Sequence, residues 1–254
     1  MNKNKKNTLI GTGTLFAALA VLGGTVLEKK LRKNKQEQEI VKDDKYETGN
    51  IRKFGTLYLS GVKQKCPADL VKDENIHQYM GEKIEIRNTD KSDENKLSWI
   101  EINDNNKKLL ICDRNILTGI SWDELDNQNL VFGKVVIIDG QKYMLRLLKG
   151  GDKKKDDLDN EWNRYIVNEN EILGLPVSTE YDKNDKMRKN VLDKLNGKNN
   201  NLWHWVNICS LTQNTKHDKS CIIRGFYSNT YFNDVKKEVS YTTVGYRPVL
   251  EIIE

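Results

Sequence analysis

A two-residue turn between two β-rich runs is the feature that most constrains the fold. Residues 133–148 read GKVVIIDGQKYMLRLL, and Asp139-Gly140 lies at their centre. This pair is typical of a tight β-hairpin, because glycine tolerates the positive φ that a type I′ turn requires. Along the return strand, Arg146 interrupts an otherwise apolar YMLRLL run. We expect this arginine to be a structural pairing partner rather than a ligand-binding residue.

Further β-prone runs, bounded by Gly, Asn and Asp, precede this hairpin. They are residues 54–60, 83–87, 97–102 and 108–112. Ser121 begins an S-x-x-E capping box, and Asp159 or Asn160 is predicted to cap another short helix. The pattern predicts an α+β domain, with a strand-rich first part over residues 53–132 and the remainder over residues 133–254.

An apolar run near the amino terminus sets the predicted domain organisation. Twenty residues without a charge extend from Thr8 to Leu27. At ~1.5 Å per residue, a helix of this length spans about 30 Å, the thickness of a bilayer's hydrocarbon core. Basic residues flank both ends. We therefore expect residues 1–33 to be a single-pass membrane anchor, residues 34–52 a charged spacer and residues 53–254 the folded domain.

Other interpretations of the apolar run stay open. A cleaved signal peptide fits the basic start, although no small-x-small cleavage site precedes a polar segment. A homo-oligomer-forming helix fits the spacing of Gly13 and Ala17, and of Ala20 and Gly24, because small residues let two helices pack closely. Basic residues are more numerous after the run, which favours a cytoplasmic domain by a small margin, so the side of the membrane is left open.

The distribution of charge argues against nucleic acid as a partner. The net charge is +5, from 42 Lys and Arg and 37 Asp and Glu. Residues 1–35 hold eight of the cations and one of the acids, a net +7, which leaves −2 for the rest. A nucleic-acid-binding domain concentrates positive charge on its folded part. The sequence therefore predicts no nucleic-acid partner.

The cysteines and histidines lack the spacing of a metal or redox site. Cys66, Cys112, Cys209 and Cys221 include no C-x-x-C pair, and the three histidines stand at unrelated spacings. Neither a disulfide scaffold nor a zinc site is predicted, although Cys209 and Cys221 are close enough in sequence for pairing to stay open. With no phosphate loop, nucleophile elbow or H-E-x-x-H motif, we expect no cofactor, no metal and no catalytic residues.

Three short motifs follow one another in the last fifty-two residues. They are Trp203-His204-Trp205, Arg224-Gly225 and Gly245-Tyr246-Arg247. If the first is a strand, its tryptophans point to opposite faces and at most one reaches the deep core. The two arginines are predicted to organise the fold by pairing with buried carbonyls or carboxylates. The order of the three motifs resembles that of the W-x-W, R-G-G-S-W-like and G-F-R segments in the formylglycine-generating-enzyme (sulfatase-modifying factor) family. This family is a branch of the C-type-lectin-like fold.

The resemblance implies a C-type-lectin-like domain without the family's chemistry. The enzymes of that family act through a pair of cysteines just after the R-G-G step, which bind copper. Here residues 226–233 read FYSNTYFN and contain no cysteine, whereas such a copper site needs a thiolate pair. The outline also resembles retroelement-diversified variable proteins, which use the fold to display a binding surface. The Gly133–Leu148 hairpin and the Asn160-Glu161-Trp162 segment resemble a bacterial and phage-associated domain of unknown function.

A run of tyrosines and asparagines is the best candidate for a binding surface. Tyr227, Asn229, Tyr231 and Asn233 share one face if the segment is extended, and binding surfaces favour both residue types. An ordinary polar loop is the alternative. Four further polar residues are predicted to line the same surface: Asn207, Ser210, Thr212 and Asn214.

These observations predict a membrane-tethered, non-catalytic recognition module that binds a protein or glycan. One alternative is a structural or assembly protein of a phage or cell envelope that self-associates through its amino-terminal helix. A second alternative is a degenerate oxidase of the formylglycine-generating type.

Overall fold

The computed structural model describes residues 46–67, 76–105, 107–151, 160–183 and 198–253. The compact unit is Tyr46–Glu254. It begins before the expected boundary at residue 53, because Tyr46 is buried and the first strand starts at Ile51. The predicted membrane segment from Thr8 to Leu27 lies outside the described residues. Among the residues that are described, no helix is long and apolar enough to cross a membrane.

The described residues form fourteen strands and a few short helical segments. The strands are β1 Ile51–Leu59, β2 Val62–Lys63, β3 His77–Gln78, β4 Ile84–Arg87, β5 Lys96–Asp104, β6 Lys107–Cys112, β7 Leu117–Thr118, β8 Lys134–Ile138, β9 Gln141–Leu147, β10 Cys209–His217, β11 Ser220–Gly225, β12 Phe232–Lys236, β13 Val244–Tyr246 and β14 Pro248–Ile252. The helical segments are a 3-10 turn Asp93–Asn95, α1 Trp122–Asn127, a π-helix Trp162–Val167, α2 Glu180–Lys183 and α3 Lys198–Trp203.

The strands assemble into two sheets. The larger has the order β2-β1-β5-β6-β14-β9-β8, with β4 also paired to β1. The smaller has the order β12-β11-β10-β13-β7-β3. Most pairs are antiparallel, whereas β10 with β13 and β3 with β7 are parallel. This mixed, strand-rich arrangement with few short helices is an α+β fold.

The central strands of the larger sheet are buried on both faces. Along β5, Leu97 and Trp99 enter a core shared with the smaller sheet. Ile100 and Ile102 alternate with them and enter a second core beneath the π-helix and α3. Because side chains alternate across a strand, these two pairs lie on opposite faces of the sheet, and both faces are buried. Trp203 and Trp205 belong to this second core, whereas Phe226 and Tyr231 pack against the first.

The predicted hairpin, capping box and early strands are confirmed. Strands β8 and β9 pair as the predicted hairpin, with Ile138 opposite Gln141. Asp139 and Gly140 between them adopt φ values of 50° and 85°, as a type I′ turn requires. The Ser121 hydroxyl oxygen caps α1 by accepting from the backbone nitrogen of Glu124, and the capping box is complete. The four predicted runs before the hairpin fall in β1, β4, β5 and β6.

Arg146 has the structural pairing role expected of it. Its guanidinium nitrogens donate to the two carboxylate oxygens of Glu161 at 2.6 and 2.7 Å. Both side chains are buried, and Glu251 accepts a further hydrogen bond from Arg146 at 3.0 Å. Burial disfavours the charged guanidinium, but the carboxylate of Glu161 outweighs it and raises the pKa of Arg146. This two-pronged pair ties β9 to the start of the π-helix.

The larger sheet curls until its two ends approach each other at β4 and β8. Side chains bridge this seam at the hairpin turn, where the Asp139 carboxylate accepts from the backbone nitrogen and the hydroxyl of Thr89. The side-chain oxygen of Asn88 accepts from the backbone nitrogen of Asp139 in return. Away from the turn the strands diverge around a groove of about 520 Å³, whose apolar lining includes Ile84 and Val136.

Candidate functional site

The Trp-His-Trp motif is a helix end rather than a strand. Helix α3 ends at Trp203, and His204 has a left-handed φ of 42°, which turns the chain sharply. Both Trp203 and Trp205 are therefore fully buried, at 0% and 1% exposure. The expectation that at most one would reach the deep core was wrong, because the alternation on which it depended belongs to a strand.

Arg224 and Arg247 are buried against backbone carbonyl oxygens. Arg224 donates to Gly150 and Gly151 at 3.2 and 2.9 Å. Arg247 donates to the carbonyls of Cys112 and Asp113 at 3.2 and 2.9 Å, and burial lowers its pKa to about 10. Both guanidinium carbons lie within 6 Å of the Trp162 ring centroid, at 5.7 and 5.6 Å, in cation–π range.

The three carboxyl-terminal motifs meet in space. The backbone nitrogen of Phe226, just after Arg224-Gly225, donates to the carbonyl oxygen of Trp205 at 2.8 Å. Arg247 donates to the carbonyl oxygen of His204 at 3.4 Å. Gly245 packs so closely on β7 that a Cβ there would lie 2.4 Å from the carbonyl oxygen of Leu117. These motif residues are thus part of one buried support.

Above this support, three aromatic rings form a partly exposed cluster, which we call the aromatic patch. It consists of Phe226, Tyr227 and Tyr231. The ring of Tyr227 is edge-on to Phe226 at 4.7 Å and to Tyr231 at 5.0 Å between centroids. Tyr227 is 44% exposed. Edge-on packing of this kind holds aromatic side chains in a fixed arrangement.

The segment that carries the patch is a turn, so its four predicted site residues do not share one face. Tyr227 and Tyr231 are brought together, and Asn233 lies exposed on β12. Asn229 instead points into the protein, where its amide nitrogen donates to Ser178 and Asn199. The expectation of an extended segment was wrong here, because the chain reverses between β11 and β12 and an alternation rule fails in a turn.

The four further polar residues that were predicted to line the binding surface lie mainly below it. Ser210 and Thr212 are buried on β10, where Ser210 accepts from Arg247 and Thr212 donates to the carbonyl oxygen of Ile222. The side-chain oxygen of Asn214 accepts from the backbone nitrogen of Gly150 at 2.7 Å. Asn207 is half-buried with a φ of 65°. In the described structure these residues position strands, and only Asn207 lies next to the patch, through Phe226.

A charged cluster beside the second tryptophan was missed by the sequence analysis. Arg114 forms a two-pronged pair with its neighbour Asp113, at 2.7 and 2.5 Å. The same guanidinium lies 3.2 Å from Nε2 of His204. Since a guanidinium only donates, Nε2 of His204 accepts and its proton resides on Nδ1. No sequence signal connects Arg114 to His204, because ninety positions separate them.

The cysteines are free thiols, and the register of β10 and β11 keeps Cys209 and Cys221 too far apart for a disulfide. Cys209 lies opposite Gly225, whereas Cys221 lies opposite Thr215. Four residues of strand, about 13 Å, therefore separate Cys221 from Gly225, the position across from Cys209. A disulfide needs Cα atoms within about 7 Å. Burial also raises the pKa of Cys221 to about 12, so its reactive thiolate form is disfavoured.

In the described ranges, no three His, Cys, Asp or Glu side chains are grouped so that they could hold a metal ion. No protein-family model matches the chain, and neither a curated protein nor a solved structure matches it.

Proposed function

We propose that this protein is a non-catalytic recognition module whose aromatic patch binds a protein or a glycan. The observation that carries the proposal is the exposed ring of Tyr227, held edge-on between Phe226 and Tyr231. Tyrosines of this kind bury large contact area at low cost in conformational entropy.

The rigidity of the turn beneath the patch supports the proposal. Asn229 lies between the two tyrosines in sequence and is fully buried. Its carbonyl oxygen accepts from the indole nitrogen of Trp162 at 2.7 Å, and its backbone nitrogen donates to Asp182 at 2.9 Å. Binding sites on rigid supports lose less entropy when a ligand binds. A turn anchored from below is therefore suited to present Tyr227 and Tyr231.

We further propose that the fold is a C-type-lectin-like variant that lacks the chemistry of the related enzymes. The order of the three motifs and their meeting around Trp205 support the fold. The separation of Cys209 from Cys221 along β10 and β11 supports the lack of that chemistry, because the copper site of those enzymes needs two thiolates close together. Copper titration of the purified chain tests this, and stoichiometric high-affinity Cu(I) binding would favour the oxidase alternative.

The binding proposal is tested with purified full-length chain in nonionic detergent, applied to a glycan array and a protein array. Tyr227→Ala and Tyr231→Ala are expected to lose the signal that the wild type gives. Tyr241→Ala removes a similarly exposed tyrosine outside the patch and should retain it. Equal binding by all three variants would contradict the assignment of the patch.

We propose that the run from Thr8 to Leu27 tethers the module to a membrane. Its length and lack of charge support this. Alkaline extraction of membranes from expressing cells should leave the wild type in the pellet and release Leu19→Arg, since a central arginine disfavours insertion. Release of the wild type as well would contradict the tether.

A further inference from the structure

A cavity of about 470 Å³ lies beside α1, lined by residues of α1, the β10–β11 turn and the segment after β12. Two of its walls are aromatic. The rings of Trp122 and Phe132 meet at 77° with centroids 5.7 Å apart, so they form a corner. The indole nitrogen of Trp122 donates to the carbonyl oxygen of Thr212 at 3.0 Å, which fixes that ring, while Phe132 is 62% exposed.

A cation already occupies this corner. The ammonium nitrogen of Lys237 lies 4.4 Å from the centroid of the Trp122 ring. Within the part of the chain that the structure describes, Lys237 forms no ion pair, although carboxylates line the same cavity. The aromatic face therefore attracts this ammonium in the way that aromatic cages attract alkylammonium ligands.

The cavity carries an excess of negative charge. Its four acids are Asp123, Asp126, Asp218 and Glu238. Its two cations are Lys219 and Lys237, so the lining has a net charge of −2. None of the four carboxylates has an ion-pair partner among the described residues. Clefts lined by one sign of charge raise the local concentration of ions of the opposite sign.

We propose that this cavity binds an alkylammonium group, which displaces the ammonium of Lys237 from the ring of Trp122. The ligand cation would lie against Trp122 and Phe132 with the carboxylates around it. Choline headgroups and lysine side chains share this chemistry. The site shares no residue with the aromatic patch and does not rest on the proposed function.

Isothermal titration of the full-length chain in nonionic detergent tests the proposal with three probes. Choline is compared with 3,3-dimethyl-1-butanol, which has the same shape without the charge, and with butylammonium, which mimics a lysine side chain. Saturable binding of choline or butylammonium, with none of the neutral alcohol, is expected. Binding of choline alone identifies a quaternary headgroup as the source, and binding of butylammonium alone a lysine side chain. Equal binding of the alcohol, or no binding of either cation, would overturn the proposal.

Two variants shift the affinity in opposite directions. Phe132→Ala removes an aromatic wall and should weaken binding roughly fivefold. Lys237→Gln removes the competing cation and should strengthen binding by a similar factor, a gain that a merely structural role would not produce. Val135→Ala, an exposed apolar residue on β8, is the matched control and should change nothing. Weaker or unchanged binding by Lys237→Gln would overturn the proposal even if Phe132→Ala fails to fold.

Discussion

Phe226 and Trp205 are joined backbone to backbone across twenty-one positions, by the 2.8 Å hydrogen bond from the nitrogen of Phe226 to the carbonyl oxygen of Trp205. Phe226 has a φ of 79°, and Asn207, whose nitrogen donates to the carbonyl oxygen of Phe226, has a φ of 65°. A bulky residue at positive φ costs on the order of 1–3 kcal/mol and persists only where its surroundings impose it. Here that strained backbone orients the aromatic patch.

Replacing Gly225 tests how tightly this junction is built. Gly225 has a φ of 95°, and a Cβ there would lie 3.1 Å from the carbonyl oxygen of Ile208 and 3.3 Å from that of Trp205. We expect Gly225→Ala to lower the free energy of unfolding by about 2–4 kcal/mol, measured by urea denaturation. Gly61→Ala, with a φ of 83° and no atom within 4 Å, is the control and should cost about 1 kcal/mol. Equal losses of stability in the two variants would mean that the backbone around Gly225 adjusts to the added methyl group.

Asn229 and Tyr227 should separate stability from binding. Asn229→Ala removes hydrogen bonds to Ser178 and Asn199 in the core and should lower the free energy of unfolding by about 1–3 kcal/mol. Tyr227→Ala alters a side chain that is 44% exposed and should cost under about 1 kcal/mol. Thermal denaturation of both variants checks this. A larger loss of stability for Tyr227→Ala than for Asn229→Ala would contradict the assignment of Asn229 to the support and of Tyr227 to the binding surface.

The buried Arg146–Glu161 pair should show strong coupling. Removing either partner alone, as Arg146→Met or Glu161→Leu, leaves the other buried charge without its two-pronged partner and should cost about 3–5 kcal/mol. The double variant should cost less than the sum, as a double-mutant cycle by denaturation will measure. The exposed pair Lys216–Asp234 is the control, and Lys216→Met there should cost less than about 1 kcal/mol. Additive losses at Arg146 and Glu161 would contradict the coupling.

Asp90 should make the protein sensitive to acid. Hydrogen bonds from Lys63, the backbone of Ser92 and Asn95 lower the pKa of Asp90 to about 2. Because the folded value lies below the unfolded value of about 3.9, this carboxylate stabilises the fold fully above the unfolded value. The contribution is lost as pH falls through the folded value.

The stability difference between wild type and Asp90→Asn should therefore hold above about pH 5 and vanish towards pH 2. Carbon NMR titration of the Asp90 carboxyl group checks the pKa directly. Lys63→Met should raise that pKa, since it removes the principal hydrogen-bond donor. An unchanged titration in Lys63→Met would show that Lys63 has no such effect.

Local rules were enough to predict the hairpin at Asp139-Gly140 and the capping box at Ser121, because each depends on residues adjacent in sequence. The same reasoning failed at Trp203 and Trp205. There the left-handed φ of His204 replaces strand alternation with a turn, and the resulting burial depends on tertiary contacts.

The candidate site could be predicted only in part for the same reason. Tyr227 and Tyr231 could be selected by residue type, but the burial of Asn229 depends on Ser178 and Asn199, which are distant in sequence. The contact between Arg114 and His204 likewise joins residues that are ninety positions apart in the sequence and meet only in the folded chain. A sequence shows which residue types are present, but which of them come together in space depends on the fold topology.

The seam between β4 and β8 has a consequence for solubility. An open edge strand offers unpaired backbone groups to any other chain, and β8 carries exposed Val135 and Ile137 along that edge. At the turn end of β8, the hydrogen bonds between Asp139 and Thr89 hold β4 alongside and make that part of the edge less accessible to a neighbouring molecule. The hairpin turn that most constrained the fold thus also limits intermolecular strand pairing, and with it aggregation.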